Sequence, residues 1–224
     1  MPTRRVMPPY QAVLFDLDGT LADTAPDLAA ALNRMRRERG LEALPLALLR
    51  PMASHGARGM IQVGFALGLD HIDYPALRDE FLRNYAQDIC VHTCLFPGLD
   101  RVIGQLVDRA LPWGIVTNKM AALTHQLLAS MSLPFQPGCV VSGDTTAKPK
   151  PAPDSLLHAS VVLGVPAQQC LYVGDDWRDM QAAQAAGMGF AAAAYGYCGQ
   201  QEPRRWGAQC ILDEPTQLLQ LGLI

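Results

Sequence analysis

Residues 12–20 read Ala12-Val13-Leu14-Phe15-Asp16-Leu17-Asp18-Gly19-Thr20. Four apolar residues in a row, with Val and Phe among them and no polar face, have the composition of a strand buried on both sides, as in a parallel sheet. The run stops at two carboxylates two positions apart, a spacing that lets both side chains reach the same space, and Gly19 allows the chain to turn sharply away. In a doubly wound α/β sheet the ligand site lies off the carboxyl ends of the strands. The Asp16/Asp18 pair stands at such an end.

Working outward, short apolar runs recur at 113–116, 139–142, 170–173, 189–192 and 209–212, and helical patterns lie between them at 98–109, 120–131, 154–163 and 177–186. Gly164 and Gly187 follow directly on two of these patterns, where the left-handed position that closes many helices favours glycine. The alternation predicts a parallel sheet covered by helices. Residues 24–93 break it, with helical signals and no strand. Thr24 is placed to cap a helix whose third residue is Asp27, and Leu28, Leu32 and Met35 share one face of it up to Gly40. Arg34, Arg36, Arg37 and Arg39 crowd its last turns, where the helix dipole favours positive charge, and read as a solvated helix end. Further helices fit 45–53, 57–67 and 75–90, the last with Leu77, Phe81 and Tyr85 four apart. The chain therefore reads as an α/β core of residues 1–23 and 95–224 interrupted by a helical cap over 24–94, with hinges near 22–24 and 93–97.

Composition narrows the function. Of 224 residues, 50% are hydrophobic and 17% charged, which excludes a disordered or fibrous chain, and a net charge of −3 advertises no nucleic-acid partner. The six cysteines are scattered without a C-x-x-C pair and read as reduced thiols of a cytoplasmic protein. Residues 1–9 lack the apolar segment of a secretory signal, and the uncharged stretch 180–201 is too interrupted by Gln and Gly to span a membrane. Cys90-x-His92-x-Cys94 fits no common zinc spacing. Nothing distinguishes a monomer from a homodimer.

The polar clusters all fall at strand ends. Thr117-Asn118-Lys119 follows the second core strand, Lys148-Pro149-Lys150-Pro151 the third, and Gly174-Asp175-Asp176 the fourth, with Asp179 one helical turn on. Asp16, Asp18, Asp175 and Asp176 at one rim repel one another unless protonated or neutralised by a cation. Oxygen ligands with no His or Cys nearby specify a hard ion, of which Mg²⁺ is the usual one shared with a phosphate. A lysine and a Thr/Asn pair suit the remaining phosphate oxygens, and a carboxylate beside Mg²⁺ is a competent nucleophile.

In this order the four clusters resemble the motifs of the haloacid dehalogenase superfamily over essentially the whole chain, and the insertion resembles that family's first type of helical cap. The resemblance implies that Asp16 attacks phosphorus, and that Asp18 protonates the leaving alcohol and then activates water against the aspartyl-phosphate. It further implies that Thr117 and Lys148, with Asn118, hold the phosphate. Asp16, the backbone carbonyl of Asp18 and Asp175 would bind Mg²⁺, with Asp176 and Asp179 in or behind the metal shell. Asp18 argues against dehalogenation, because a halide leaves without a proton. A phosphomutase of the same fold shares all four motifs, and a phosphate-binding module without turnover stands as the non-enzymatic alternative. In the cap, Ser54-His55-Gly56-Ala57-Arg58-Gly59 is a glycine-flexed turn opening a helix, and Arg58, His55 and Gly56 are expected to meet a polar or anionic part of the substrate. The chain is most similar to the phosphoglycolate phosphatase subgroup. Locally, residues 113–119, Tyr195-Gly196-Tyr197 and Trp206-Gly207-Ala208 resemble N-acetylmuramic acid 6-phosphate phosphatases, so either small phosphorylated metabolite fits as substrate.

Overall fold

The structure, a computed structural model, describes residues 10–198, 202–222 and 224. The expectations for residues 1–9 and for the end of the 180–201 stretch lie outside the described residues. The chain opens with β1 (Ala12–Phe15) and a two-residue strand, β2 (Ala22–Asp23). Next come α1 (Ala25–Glu38), α2 (Leu46–Leu49), a 3-10 stretch Arg50–His55, α3 (Gly56–Phe65) and α4 (Tyr74–Gln87), closed by β3 (Cys94–Leu95). The remainder alternates: α5 (Leu99–Asp108), β4 (Trp113–Val116), α6 (Ala121–Met131), β5 (Cys139–Val141), α7 (Asp154–Leu163), β6 (Cys170–Gly174), α8 (Trp177–Ala186), β7 (Gly189–Ala193) and β8 (Cys210–Leu212).

Six strands form one parallel sheet in the order β5-β4-β1-β6-β7-β8. The chain fills one side of β1 and then the other, so the carboxyl end of β1 lies where the winding reverses, the usual place for a ligand in such sheets. Alternate residues explain why the strands read as unbroken apolar runs. Val13 and Phe15 enter one layer with Ile115, Val173 and Leu106, while Ala12 and Leu14 enter the opposite layer with Val116, Tyr172, Leu156 and Ala183. The first layer runs on into the inserted helices, where Leu28, Leu32 and Met35 of α1 pack with Met60, Phe81 and Tyr85. Each such side chain contributes roughly 1.5–3 kcal/mol on burial. Among the described residues no helix is long and apolar enough to cross a membrane.

Three features of the insertion differ from expectation. The helix expected over 45–53 is one α-turn followed by 3-10 structure. The two linkers pair as the antiparallel strands β2 and β3, which are too short for any periodicity to reveal. Thr24 precedes α1 but does not cap it; its hydroxyl donates to Asp18 Oδ1 at 2.6 Å, a tertiary contact that wins over the local one.

Asp27 is likewise used across the fold. Its buried carboxylate accepts the backbone N–H groups of Val91, His92 and Thr93 at 2.8–3.1 Å, together with the Thr93 hydroxyl. The start of α1 is thereby tied to the returning linker. Stranding buried N–H groups costs on the order of 1–3 kcal/mol each. Asp27→Ala is therefore expected to destabilise the protein by about 3 kcal/mol and lower Tm by roughly 6–12 °C in a thermal melt. A loss below about 1 kcal/mol would mean that water replaces the carboxylate.

Candidate active site

Asp16 is the first residue beyond β1, and the loop after it folds back at once through Leu21 N–H to the Asp16 carbonyl. Gly19 makes the turn at φ +92°, and a Cβ there would run into the Asp175 carboxylate. Gly196 packs against the same loop from the turn after β7, where a side chain would collide with the Gly19 carbonyl. The carboxylates of Asp16, Asp175 and Asp179 meet beneath this loop, all buried, each with an oxygen within 4.8 Å of the others. Thr20 Oγ1 donates to Asp175 Oδ1 at 2.7 Å, and Tyr197 N–H and Ser54 Oγ donate to its Oδ2 at 2.9 and 3.0 Å.

One ammonium faces the three acids. Lys150 Nζ lies 2.8 Å from Asp16 Oδ1 and 2.8 Å from Asp179 Oδ1, and donates to the Tyr172 hydroxyl at 2.7 Å and the Val116 carbonyl at 3.1 Å. Burial pushes the Asp16 carboxyl up to about 7; Lys150 opposes the shift and Asp179 adds to it. Burial, then the charges of Asp16 and Asp179, push Asp175 well above the carboxylate range. An excess of buried negative charge with oxygen donors only suits a hard divalent cation.

Asp18 faces the same cavity as Asp16, about 230 Å³ in volume. Its Oδ1 accepts from Thr24 Oγ1 and, at 2.8 Å, from Lys119 Nζ, which is 3.1 Å from Oδ2. The same ammonium sits 4.8 Å from the centre of the Tyr85 ring, contributed by α4. Thr117 is buried at the end of β4 and accepts Lys119 N–H at 3.1 Å. The insertion closes the cavity through Ser54, His55 and Gly56, and Arg178 of α8 bridges to it by donating to the Ser54 carbonyl at 2.8 Å.

Three expectations need correction. Lys148 is exposed and Lys150 is the buried lysine, because the Asn118 amide grips the Lys150 main chain at both ends (2.8 and 2.9 Å) and aims its side chain inward. Through the same contacts Asn118 positions Lys150, and it also borders the main cavity. Asp176 stands outside the acidic cluster. It caps α8, with Asp179 completing the capping box, and pairs with Arg178 at 2.8 Å. Burial alone would raise its pKa, but the Arg178 guanidinium outweighs that and holds it below the usual range. Arg58 lines a separate hollow beside Trp177, away from Asp16 and Asp18, whereas His55 and Gly56 do border the main cavity. Tyr195 and Tyr197 brace the site, donating to the Thr20 carbonyl (3.0 Å) and to Asp23 (2.6 Å). Trp206 packs on Phe190 and Trp177. Thr20 and Ser54 lie inside stretches the sequence singles out, but only the fold shows them donating to Asp175, and Tyr172 carries no signal in sequence at all.

The sequence model of the haloacid dehalogenase-like hydrolases matches residues 13–193. A phosphoglycolate phosphatase of Xanthomonas campestris pv. campestris is 44% identical over 209 residues, 93% of this chain and 94% of that one. An N-acetylmuramic acid 6-phosphate phosphatase of Pseudomonas putida is 38% identical over the same shares of the two chains. In fold, the chain is similar to a Haemophilus somnus 129PT protein described as a predicted phosphoglycolate phosphatase, with a TM-score of 0.84 at 23% identity over 96% of this chain and 98% of that one. The chain belongs to the haloacid dehalogenase-like hydrolases and is a phosphoric monoester hydrolase. The non-catalytic binding module is thereby set aside.

Proposed function

We propose that this enzyme is a Mg²⁺-dependent phosphatase of a small carboxylated phosphomonoester, 2-phosphoglycolate or N-acetylmuramic acid 6-phosphate, acting through an aspartyl-phosphate on Asp16. The observation that carries this reading is the meeting of Asp16, Asp175 and Asp179 around Lys150, with Asp18 alongside in the same cavity. Asp16 is the nucleophile; Lys150 orients its carboxylate and, with Thr117, offers positive charge and a hydroxyl to the phosphoryl oxygens. Asp18 protonates the leaving oxygen and afterwards takes a proton from the attacking water. The oxygens of Asp16, Asp175 and Asp179, with the backbone carbonyl of Asp18, would hold Mg²⁺, which when bound neutralises phosphoryl charge. Residues 24–94 serve as the cap that excludes water, hinged at β2 and β3. The six free thiols support a cytoplasmic setting.

At about 230 Å³ the cavity is smaller than the 300–1,000 Å³ that drug-sized ligands fill, which favours the smaller ester. Phosphate release with Mg²⁺ from 2-phosphoglycolate, N-acetylmuramic acid 6-phosphate, hexose phosphates and an aryl phosphate tests the reading. A single ester preferred by orders of magnitude is expected; release that is insensitive to a chelator would remove the metal.

Mg²⁺ binding has its own pH signature. Metal requires the ionised carboxylates, and Asp16 and Asp175 are both raised by burial, so binding must expel protons. Affinity for Mg²⁺ is expected to rise from about pH 6 to about pH 8, with proton release in calorimetric titrations that shrinks as pH rises. A pH-independent affinity would place the ion elsewhere.

A further inference from the structure

Beside Asp18 the cavity holds two groups that the phosphoryl chemistry does not use. Lys119 Nζ is buried with a side-chain exposure of 8%, donates to the two oxygens of Asp18, and lies 4.8 Å from the centre of the Tyr85 ring. The Tyr85 hydroxyl is buried, borders the same cavity, and has no hydrogen-bond partner among the described residues. A buried hydroxyl without a partner is costly, and the cost disappears when a ligand supplies an acceptor.

We propose that Lys119 and Tyr85 together bind a carboxylate on the leaving alcohol, making the enzyme selective for phosphate esters whose ester carbon carries a carboxylate. This rests on the phosphatase reading and narrows it. Position is the first support: Asp18 serves the ester oxygen, and a carboxylate borne by the ester carbon lies two bonds beyond that oxygen, on the side where Lys119 stands. Elimination is the second. Lys150 is engaged by Asp16 and Asp179, Arg178 by Asp176 and the Ser54 carbonyl, His55 faces Asp176 at 3.9 Å, and Arg58 faces another hollow. The surrounding wall is the third. Beside the polar Ser54, His55 and Asn118, the residues Leu28, Phe81, Leu82 and Leu123 make an apolar part of this wall that suits a compact apolar link ending in one anion. Because Tyr85 comes from the insertion and Lys119 from the core, such an anion also joins the two halves of the closed site.

The test compares 2-phosphoglycolate with ethyl phosphate, which replaces the carboxylate by a methyl group. The native enzyme is expected to favour the former by about 100-fold or more in kcat/KM, because a site built to pair a charged group rejects the analogue lacking it. Tyr85→Phe should lower that preference by about tenfold, and Lys119→Met by about 100-fold, with partial recovery in Lys119→Arg. Similar native rates on the two esters, or equal losses on both in Tyr85→Phe, would overturn the proposal while leaving the phosphatase intact. Should Lys119→Met fail to fold, the native preference and Tyr85→Phe decide the matter. Absence of phosphate release from either ester and from an aryl phosphate would instead overturn the underlying catalytic reading.

Discussion

Asp16→Asn is expected to abolish phosphate release, lowering kcat by about 10⁴-fold or more, as removal of a nucleophile from a concerted catalytic group does. The change is nearly isosteric, so its effect is chemical. An amide oxygen at the Oδ1 position still accepts from Lys150, but the amide cannot displace an alcohol from phosphorus. Stability should not suffer, because Asp16 adds a third negative charge to a buried cluster held by one ammonium, and its carboxyl is pushed up to about 7 by that burial. A melting temperature at or above that of the native protein, with undetectable turnover, separates lost chemistry from lost fold. Mass spectrometry after a brief exposure to an aryl phosphate supplies the direct readout: a phosphoryl adduct in the native chain and none in the variant. An adduct on another residue, or turnover at more than a few per cent of the native rate, would move the nucleophile away from Asp16.

The parts legible in sequence were those in which local pattern and tertiary role coincide. The strand at 12–15 must be apolar because both of its faces are covered, and Asp16 must be polar because the strand ends there; both facts leave marks within a few residues. The helix over 154–163 and the one over 177–186 are bounded by glycines whose left-handed conformation the structure shows, at φ +69° and +70°. Parts decided by distant contacts were not legible. Thr24 and Asp27 are good local helix-start residues, yet their side chains serve Asp18 and the 91–93 backbone. Arg58 lies two residues beyond Gly56, close in sequence to the cavity, but the turn of α3 carries it to another face. A cationic side chain in a cap turn signals an anion site only if the helix phase is known, and that phase depends on packing.

The site draws on both halves of the fold in a way that explains its small cavity. Ser54 of the insertion donates to Asp175 of the core, Arg178 of the core donates to the Ser54 carbonyl, and Lys119 of the core lies over Tyr85 of the insertion. The Arg178–Ser54 and Lys119–Tyr85 contacts are made by residues beside the group proposed to carry the chemistry, whereas Ser54 reaches into that group at Asp175.

The two lysines of 148–151 offer the sharpest separation of sequence from structure. Each is followed by proline, so composition and spacing treat Lys148 and Lys150 alike; only the path of the loop, gripped by Asn118, puts Lys150 among the acids. Lys150→Met leaves Asp16, Asp175 and Asp179 without the ammonium between them, and uncompensating a buried ion pair costs about 3–5 kcal/mol. The same change removes positive charge from the phosphoryl oxygens, where a single donor contributes about 10²–10³-fold, so kcat should fall by about 10³-fold or more. Raised Mg²⁺ is expected to restore part of the stability, because it supplies counter-charge to the same carboxylates, and none of the rate, because the lysine's contact with phosphate stays absent. Lys148→Met alters an exposed side chain, so stability should hold to within about 0.5 kcal/mol and the rate to within about twofold. Parallel urea titrations and phosphate-release assays on the two variants decide it. If Lys148→Met proved the damaging change and Lys150→Met the silent one, the loop would run two residues out of register with the structure, and the charge balance derived for the acidic cluster would fall with it.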